Sequence, residues 1–168
     1  MLQLDPEVVS AVVLHCSASK YGDVETFTEW HKDRGWDTIG YHWVISNCYP
    51  TYSSIIVGQP DPHYDGVVHL GRPEQYQGAH AKGHNEYTIG ICLVGEDVFS
   101  STQIYAAINL ISSIRSRFPN NLEILGHYEL TTAKTCPNID MDYFRSLELS
   151  IDSAEPPIFD PSILNSLI

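Results

Sequence analysis

The chain has 168 residues, 43% of them hydrophobic, and sets only nine Lys and Arg against 21 Asp and Glu for a formal net charge of −12. That length and apolar content fit one domain with a real core and exclude general disorder. The acidic balance excludes nucleic-acid binding driven by phosphate neutralisation and adhesion to an anionic membrane surface. No segment reaches the roughly 18 apolar residues of a membrane-spanning helix. The opening "MLQLDPEVVSAVVLHCSAS" has no basic n-region and is broken by Asp5, Pro6, Glu7 and Ser10, so it does not read as a signal peptide. Cys16, Cys48, Cys92 and Cys136 form no CxxC pair and are expected as reduced thiols of a product made in the cytoplasm.

In chain order, the β-branched run "VVSAVVLHCS" predicts a buried strand over 8–15 that ends at His15. Asp23 caps a helix in which Val24, Phe27 and Trp30 recur at three-residue steps, and Gly35 stops it. "GYHWVIS", 40–46, predicts a second strand. Residues 47–66 carry three prolines and read as a long excursion whose Ser54–Val57 adds to the sheet and whose length suits a wall of a binding site. "GVVHL", 66–70, and "YTIGICLV", 87–94, predict two more strands, the second central.

A helix over 101–118 follows, with Ser100 and Gln103 in a capping-box pattern and one apolar stripe of Ile104, Ile108, Ile111, Ile114 and Phe118. "LEILG", 122–126, leads as a strand into His127, and a last helix starts near Asp140 and runs through Tyr143, Phe144 and Leu147. The prolines at 156, 157 and 161 set the tail apart. The expected organisation is one α/β domain over 1–150, with a central mixed sheet flanked by helices and its site in a cleft at strand ends, followed by a loosely ordered extension over 151–168.

Eight histidines leave most without a chemical role, and position selects among them. His15 and His127 each stand at the end of a buried strand, where ligand-binding groups of α/β sheets gather. With Cys136 they would offer zinc three ligands of suitable softness and leave a fourth position for water, the pattern of a catalytic site. Spacing alone is a weak signal: His127 as a turn residue and Cys136 as a small buried hydrophobe is a competing reading.

"LHCSAS", "WHKDRGWDTIGYHWVI", "GAHAKGHNEYTIGICLVG" and "GHYELTTAKTCPNID" together resemble, in order, the blocks of the zinc-dependent N-acetylmuramoyl-L-alanine amidases, whose wider kin are the peptidoglycan recognition proteins. The resemblance covers most of residues 8–148. It implies one zinc ion held by His15, His127 and Cys136, Tyr41 as the active-site tyrosine and Lys134 as the catalytic lysine. His80, Lys82 and Asn85 fall on a block that lines the family's cleft, which implies substrate contact, although turn and hydrogen-bonding roles compete. Strand alternation sets Tyr41, Trp43 and Ile45 on one face and His42 and Val44 on the other, so only one of Tyr41 and His42 can face the metal, and the resemblance selects Tyr41. His42 is then a packed residue, Cys16 and Cys92 are core, and His31 is a solvated or capping residue.

The implied activity is hydrolysis of the amide bond between N-acetylmuramic acid and L-alanine in peptidoglycan, carried out by a monomeric phage endolysin made in the host cytoplasm and released to the periplasm and cell wall. The alternatives are a muropeptide-binding module without turnover and, because a phage member of the family also inhibits its phage's RNA polymerase, a regulator with that polymerase as partner. Loss of the zinc-ligating cysteine is common among members that only bind, so the presence of Cys136 favours catalysis.

Overall fold

The computed structural model of the chain describes residues 1–152. Five strands form the sheet: β1 (Ala11–Cys16), β2 (Trp43–Ile45), β3 (Val68–Leu70), β4 (Thr88–Leu93) and β5 (Glu123–Gly126), in the order β3-β2-β4-β1-β5. β1 lies between β4 and β5, parallel to both, with His15 opposite Cys92 and Leu14 opposite Gly126. β2 runs parallel to β4, and β3 closes the other edge antiparallel to β2. Every residue of β1 and β4 is buried, as the near-continuous apolar runs of strands covered on both faces require.

Helices cover the two faces. α1 (Val24–Asp33) begins where the Asp23 carboxylate accepts the Thr26 N–H at 2.8 Å and ends at Gly35, whose φ of 83° only glycine adopts without strain. α3 (Ser101–Arg115) opens on the predicted capping box and buries Ile104, Ile108, Ile111 and Ile114. Each isoleucine costs roughly 0.5 kcal/mol in helix propensity but gains about 1.5–3 kcal/mol on burial, so packing decides the conformation. Gln103, fully buried, donates to the carbonyls of Val94 and Ile45 at 2.9 and 3.4 Å and so satisfies acceptors at the ends of two strands. The remaining helices are α2 (Tyr52–Ile56), the single turn α4 (His127–Leu130) and α5 (Met141–Asp152), with a 3₁₀ turn at Pro62–Tyr64.

The two faces carry separate cores. Val12, Leu14 and Cys16 of β1 and Ile89, Ile91 and Leu93 of β4 pack with the α3 isoleucines and with Phe144 of α5. Val44, Cys92 and Val94 pack with Phe27 of α1 and with Ile39. Alternation therefore turns His15 to the α1 side of the sheet.

Several expectations need correction. The segment Ser54–Val57 does not join the sheet. Thr51 and Ser54 exchange backbone and side-chain hydrogen bonds at 3.2 and 3.3 Å to cap α2, and the sheet edge it would have used is taken by β3. β1 runs through Cys16, so His15 lies inside the strand, and α3 ends at Arg115, so Phe118 packs against the core from beyond it. β2 is shorter than 40–46, with the consequence that Tyr41 precedes the regular strand: it packs with Val44 and Cys92 on the α1 side, whereas Trp43 and Ile45 belong to the other core. His31 is buried, not solvated, and its Nδ1 accepts the Gly40 N–H at 3.0 Å. Of the tail expected over 151–168, residues 153–168 lie outside the described residues.

Candidate metal centre and active site

The segments that bear His15, His127 and Cys136 are tied together by backbone. β5 pairs with β1 up to Leu14 opposite Gly126, and the chain turns at once into α4, which starts on His127. The Tyr128 N–H donates to the Cys136 carbonyl at 2.9 Å, and the Cys16 N–H donates to Cys136 Sγ at 3.0 Å. Glu129 accepts the Gly126 N–H at 2.7 Å and pairs with Arg145 of α5, anchoring the turn.

The result is a group of three donors, one from each residue, all within 4.8 Å of one another. His15 is fully buried, while His127 and Cys136 are half-buried, so the group opens toward solvent on one side. One ion with bonds of about 2.0–2.3 Å can be held between two imidazoles and a thiolate. The donor chemistry fits a first-row divalent ion such as zinc and suits calcium or magnesium poorly.

Electrostatics favour the ligand forms of both histidines. Burial holds His15 well below the ordinary imidazole range, and His80, His127 and Lys134 add to the effect. Burial and the Lys134 cation lower His127 as well. Both rings are therefore neutral and have a lone pair to give. The thiols of Cys16 and Cys136 interact: that hydrogen bond lowers Cys16 and, with burial, raises Cys136. A bound cation reverses this order, because a coordinating thiol is deprotonated outright, and the Cys16 amide already points at the Cys136 sulfur.

Tyr41 lies beside His15, ring centroids 5.2 Å apart, and its phenol is raised well above its usual range, chiefly by burial. It is a neutral donor at physiological pH. Lys134 is exposed on the loop before Cys136, close enough that its charge acts on both histidines. Lys82 is also exposed. Of the residues on the block that the resemblance sets along the cleft, His80 is buried and Asn85 is half-buried. His80 is buried with Nδ1 3.0 Å from His15 Nε2, and Asn85 Oδ1 accepts the N–H groups of His80 and Ala81, both at 2.9 Å.

Three contacts carry no signal in the sequence pattern. Cys16, assigned to the core by alternation, does face the core, but it ends its strand and so also meets Cys136 and Asn138. The His15–His80 pair joins residues 65 apart, and no local periodicity signals it.

The family model described as "N-acetylmuramoyl-L-alanine amidase" matches residues 5–139. The chain is 30% identical over 146 residues to the endolysin of Escherichia phage T7, covering 80% of this chain and 84% of that protein. It is 27% identical over 143 residues to peptidoglycan-recognition protein SC1a of Drosophila melanogaster, covering 77% and 68%. Among solved structures, the N-acetylmuramoyl-L-alanine amidase LysC from Clostridium intestinale has the same fold, with a TM-score of 0.68 at 23% identity over 84% of this chain and 85% of that one.

Proposed function

The chain belongs to the N-acetylmuramoyl-L-alanine amidase family, and from that premise we propose that His15, His127 and Cys136 hold a zinc ion with which it cleaves the bond between N-acetylmuramic acid and L-alanine in peptidoglycan. The observation that carries the reading is the cluster of two neutral imidazoles and a thiol beside an exposed lysine. When bound, zinc supplies a water of lowered pKa and a Lewis acid for the amide carbonyl.

The chain's own groups supply the rest. Lys134 brings a cation to the open side of the site, where negative charge grows on the carbonyl oxygen as the amide carbon becomes tetrahedral. Tyr41, held neutral by burial, donates a hydrogen bond that orients water or the substrate carbonyl. The wall formed by buried His15 and half-buried Tyr41 limits bulk water on one side and so strengthens both interactions. A module that only binds muropeptide needs neither the thiol nor the lysine.

Purified sacculi incubated with the protein release muramoyl glycans and free peptides, and release stops on chelation and returns with zinc. Cys136→Ala and His127→Ala each lose zinc and activity, whereas Lys134→Ala keeps zinc and loses turnover by about 10²-fold or more. A zinc-free Cys136→Ala protein with full activity would sink the mechanism. The biological role we propose is that of a phage endolysin, as one relative is named, made in the host cytoplasm and acting on the wall after release. Expression in a Gram-negative host then lyses cells only when a membrane-permeabilising protein is made with it, and lysis without one would count against that route.

A further inference from the structure

We infer that His80 is a positioning residue: it takes up Nε2 of His15, leaves Nδ1 as the metal-facing atom, and holds the ring in that orientation. The inference rests on the assignment of His15 as a ligand. A neutral imidazole carries one N–H, and a nitrogen that binds a metal carries none, so the proton of a ligating histidine sits on its other nitrogen and needs an acceptor. His15 Nε2 lies 3.0 Å from His80 Nδ1, with both rings buried. Nε2 is thereby committed as the donor and His80 Nδ1 as the acceptor. The proton of His80 then sits on its buried Nε2, and the Thr88 backbone is a further acceptor beside the ring.

The fit around His80 shows a ring held in place. A Cβ built on Gly90 would stand 2.5 Å from His80 Cγ and Cδ2, and one on Gly78 would stand 2.3 Å from Cδ2, so only glycines leave the slot open. Asn85 pins the backbone of His80 from the other side. The ring of His42, 5.6 Å away, closes the slot and is itself fixed at both nitrogens, by the Gly90 N–H on Nδ1 at 2.9 Å and the Tyr76 carbonyl at Nε2 at 3.0 Å. The usual partner of a ligating histidine is a carboxylate or a carbonyl. A neutral imidazole in that place leaves the proton on His15 and adds no negative charge beside the ion.

The test is the zinc affinity of the whole chain, measured by competition with a chromophoric chelator and therefore independent of amidase activity. His80→Leu is expected to weaken zinc by about 10- to 100-fold, and His80→Asn, whose Oδ1 can accept where Nδ1 did, to recover most of that loss. Gly90→Ala, which touches no ligand, is expected to weaken zinc in the same direction by displacing the His80 ring. In the zinc-loaded enzyme the loss falls on kcat with KM unchanged, and long-range ¹H–¹⁵N spectra of the parent protein show His15 protonated at Nε2. A folded His80→Leu protein with parental zinc affinity, a raised KM as its main defect, or ligation of His15 through Nε2 overturns the inference. If His80→Leu does not fold, Gly90→Ala and the parental spectra decide. A parent protein that binds no zinc overturns the metal assignment itself.

Discussion

His31 couples stability to pH through one hydrogen bond. It is 6% exposed on α1 beneath Trp36, and its Nδ1 accepts the Gly40 N–H at 3.0 Å, at the corner from which Tyr41 enters the site. Burial, with smaller contributions from Arg34 and Arg72, lowers it from 6.5 to about 4. Between those values the unfolded chain binds more protons than the native one, so the contribution is fully present above pH 6.5 and is lost as pH falls toward 4. At about 1.4 kcal/mol per unit, the whole shift is worth about 3 kcal/mol, of which about 2 kcal/mol has gone by pH 5. His42, also lowered to about 4 by burial, gives a parallel loss, so the parent alone cannot isolate His31. His31→Asn keeps an acceptor for Gly40 but does not titrate. Unfolding free energies of the chelator-treated proteins, from urea titrations at pH 7.5 and pH 5, are expected to differ less in the variant, by about 2 kcal/mol. Equal pH slopes in the two proteins, or an NMR titration of His31 near 6.5, would refute the argument.

Other perturbations test the frame around the site. Arg115 donates to the Leu122 carbonyl at 3.1 and 2.9 Å and pairs with the buried carboxylate of Glu148. Arg115→Ala strands that charge and is expected to cost about 3–5 kcal/mol in thermal or urea denaturation, with part of the loss restored in an Arg115→Ala, Glu148→Leu double variant. Gly126→Ala places a methyl 2.9 Å from Met141 Cγ and Pro137 Cδ, at the junction of β5 and the His127 turn. A loss of about 1–3 kcal/mol from overpacking is expected, together with weaker zinc binding, and unchanged affinity would show that the turn moves without disturbing His127.

What was legible in the sequence was what local periodicity and caps encode. β1, β4, the α3 stripe and the caps at Asp23 and Ser100 were readable because burial and capping act within a few residues of chain. α2 was misread because Ile55, Ile56 and Val57 favour strands in isolation, whereas a reciprocal Thr51–Ser54 cap and an occupied sheet edge decided the outcome. The alternation argument at Tyr41 failed for a related reason. Period two holds only inside a paired strand, and β2 begins at Trp43. His31 and His80 were opaque because nothing near them in sequence announces burial. Their partners, Gly40 and His15, come from other elements.

The three donors do not start from equal footing. His15 stands on β1, paired on both sides, with its second nitrogen already engaged, so its position is set by the sheet whatever the state of the loops. His127 begins a single turn of helix, and Cys136 sits on a loop held by the Tyr128–Cys136 backbone hydrogen bond, by the Cys16 amide and by Asn138, which donates to the Glu96 carbonyl at 2.7 Å. A one-turn helix and a short loop have little cooperative stability of their own. Ordering of the site therefore runs from the sheet outward, and the free energy of binding an ion falls mainly on the segment from His127 to Cys136. Lys134 lies on that segment, so under the proposed function the event that completes the metal centre would also order the loop that carries its cation.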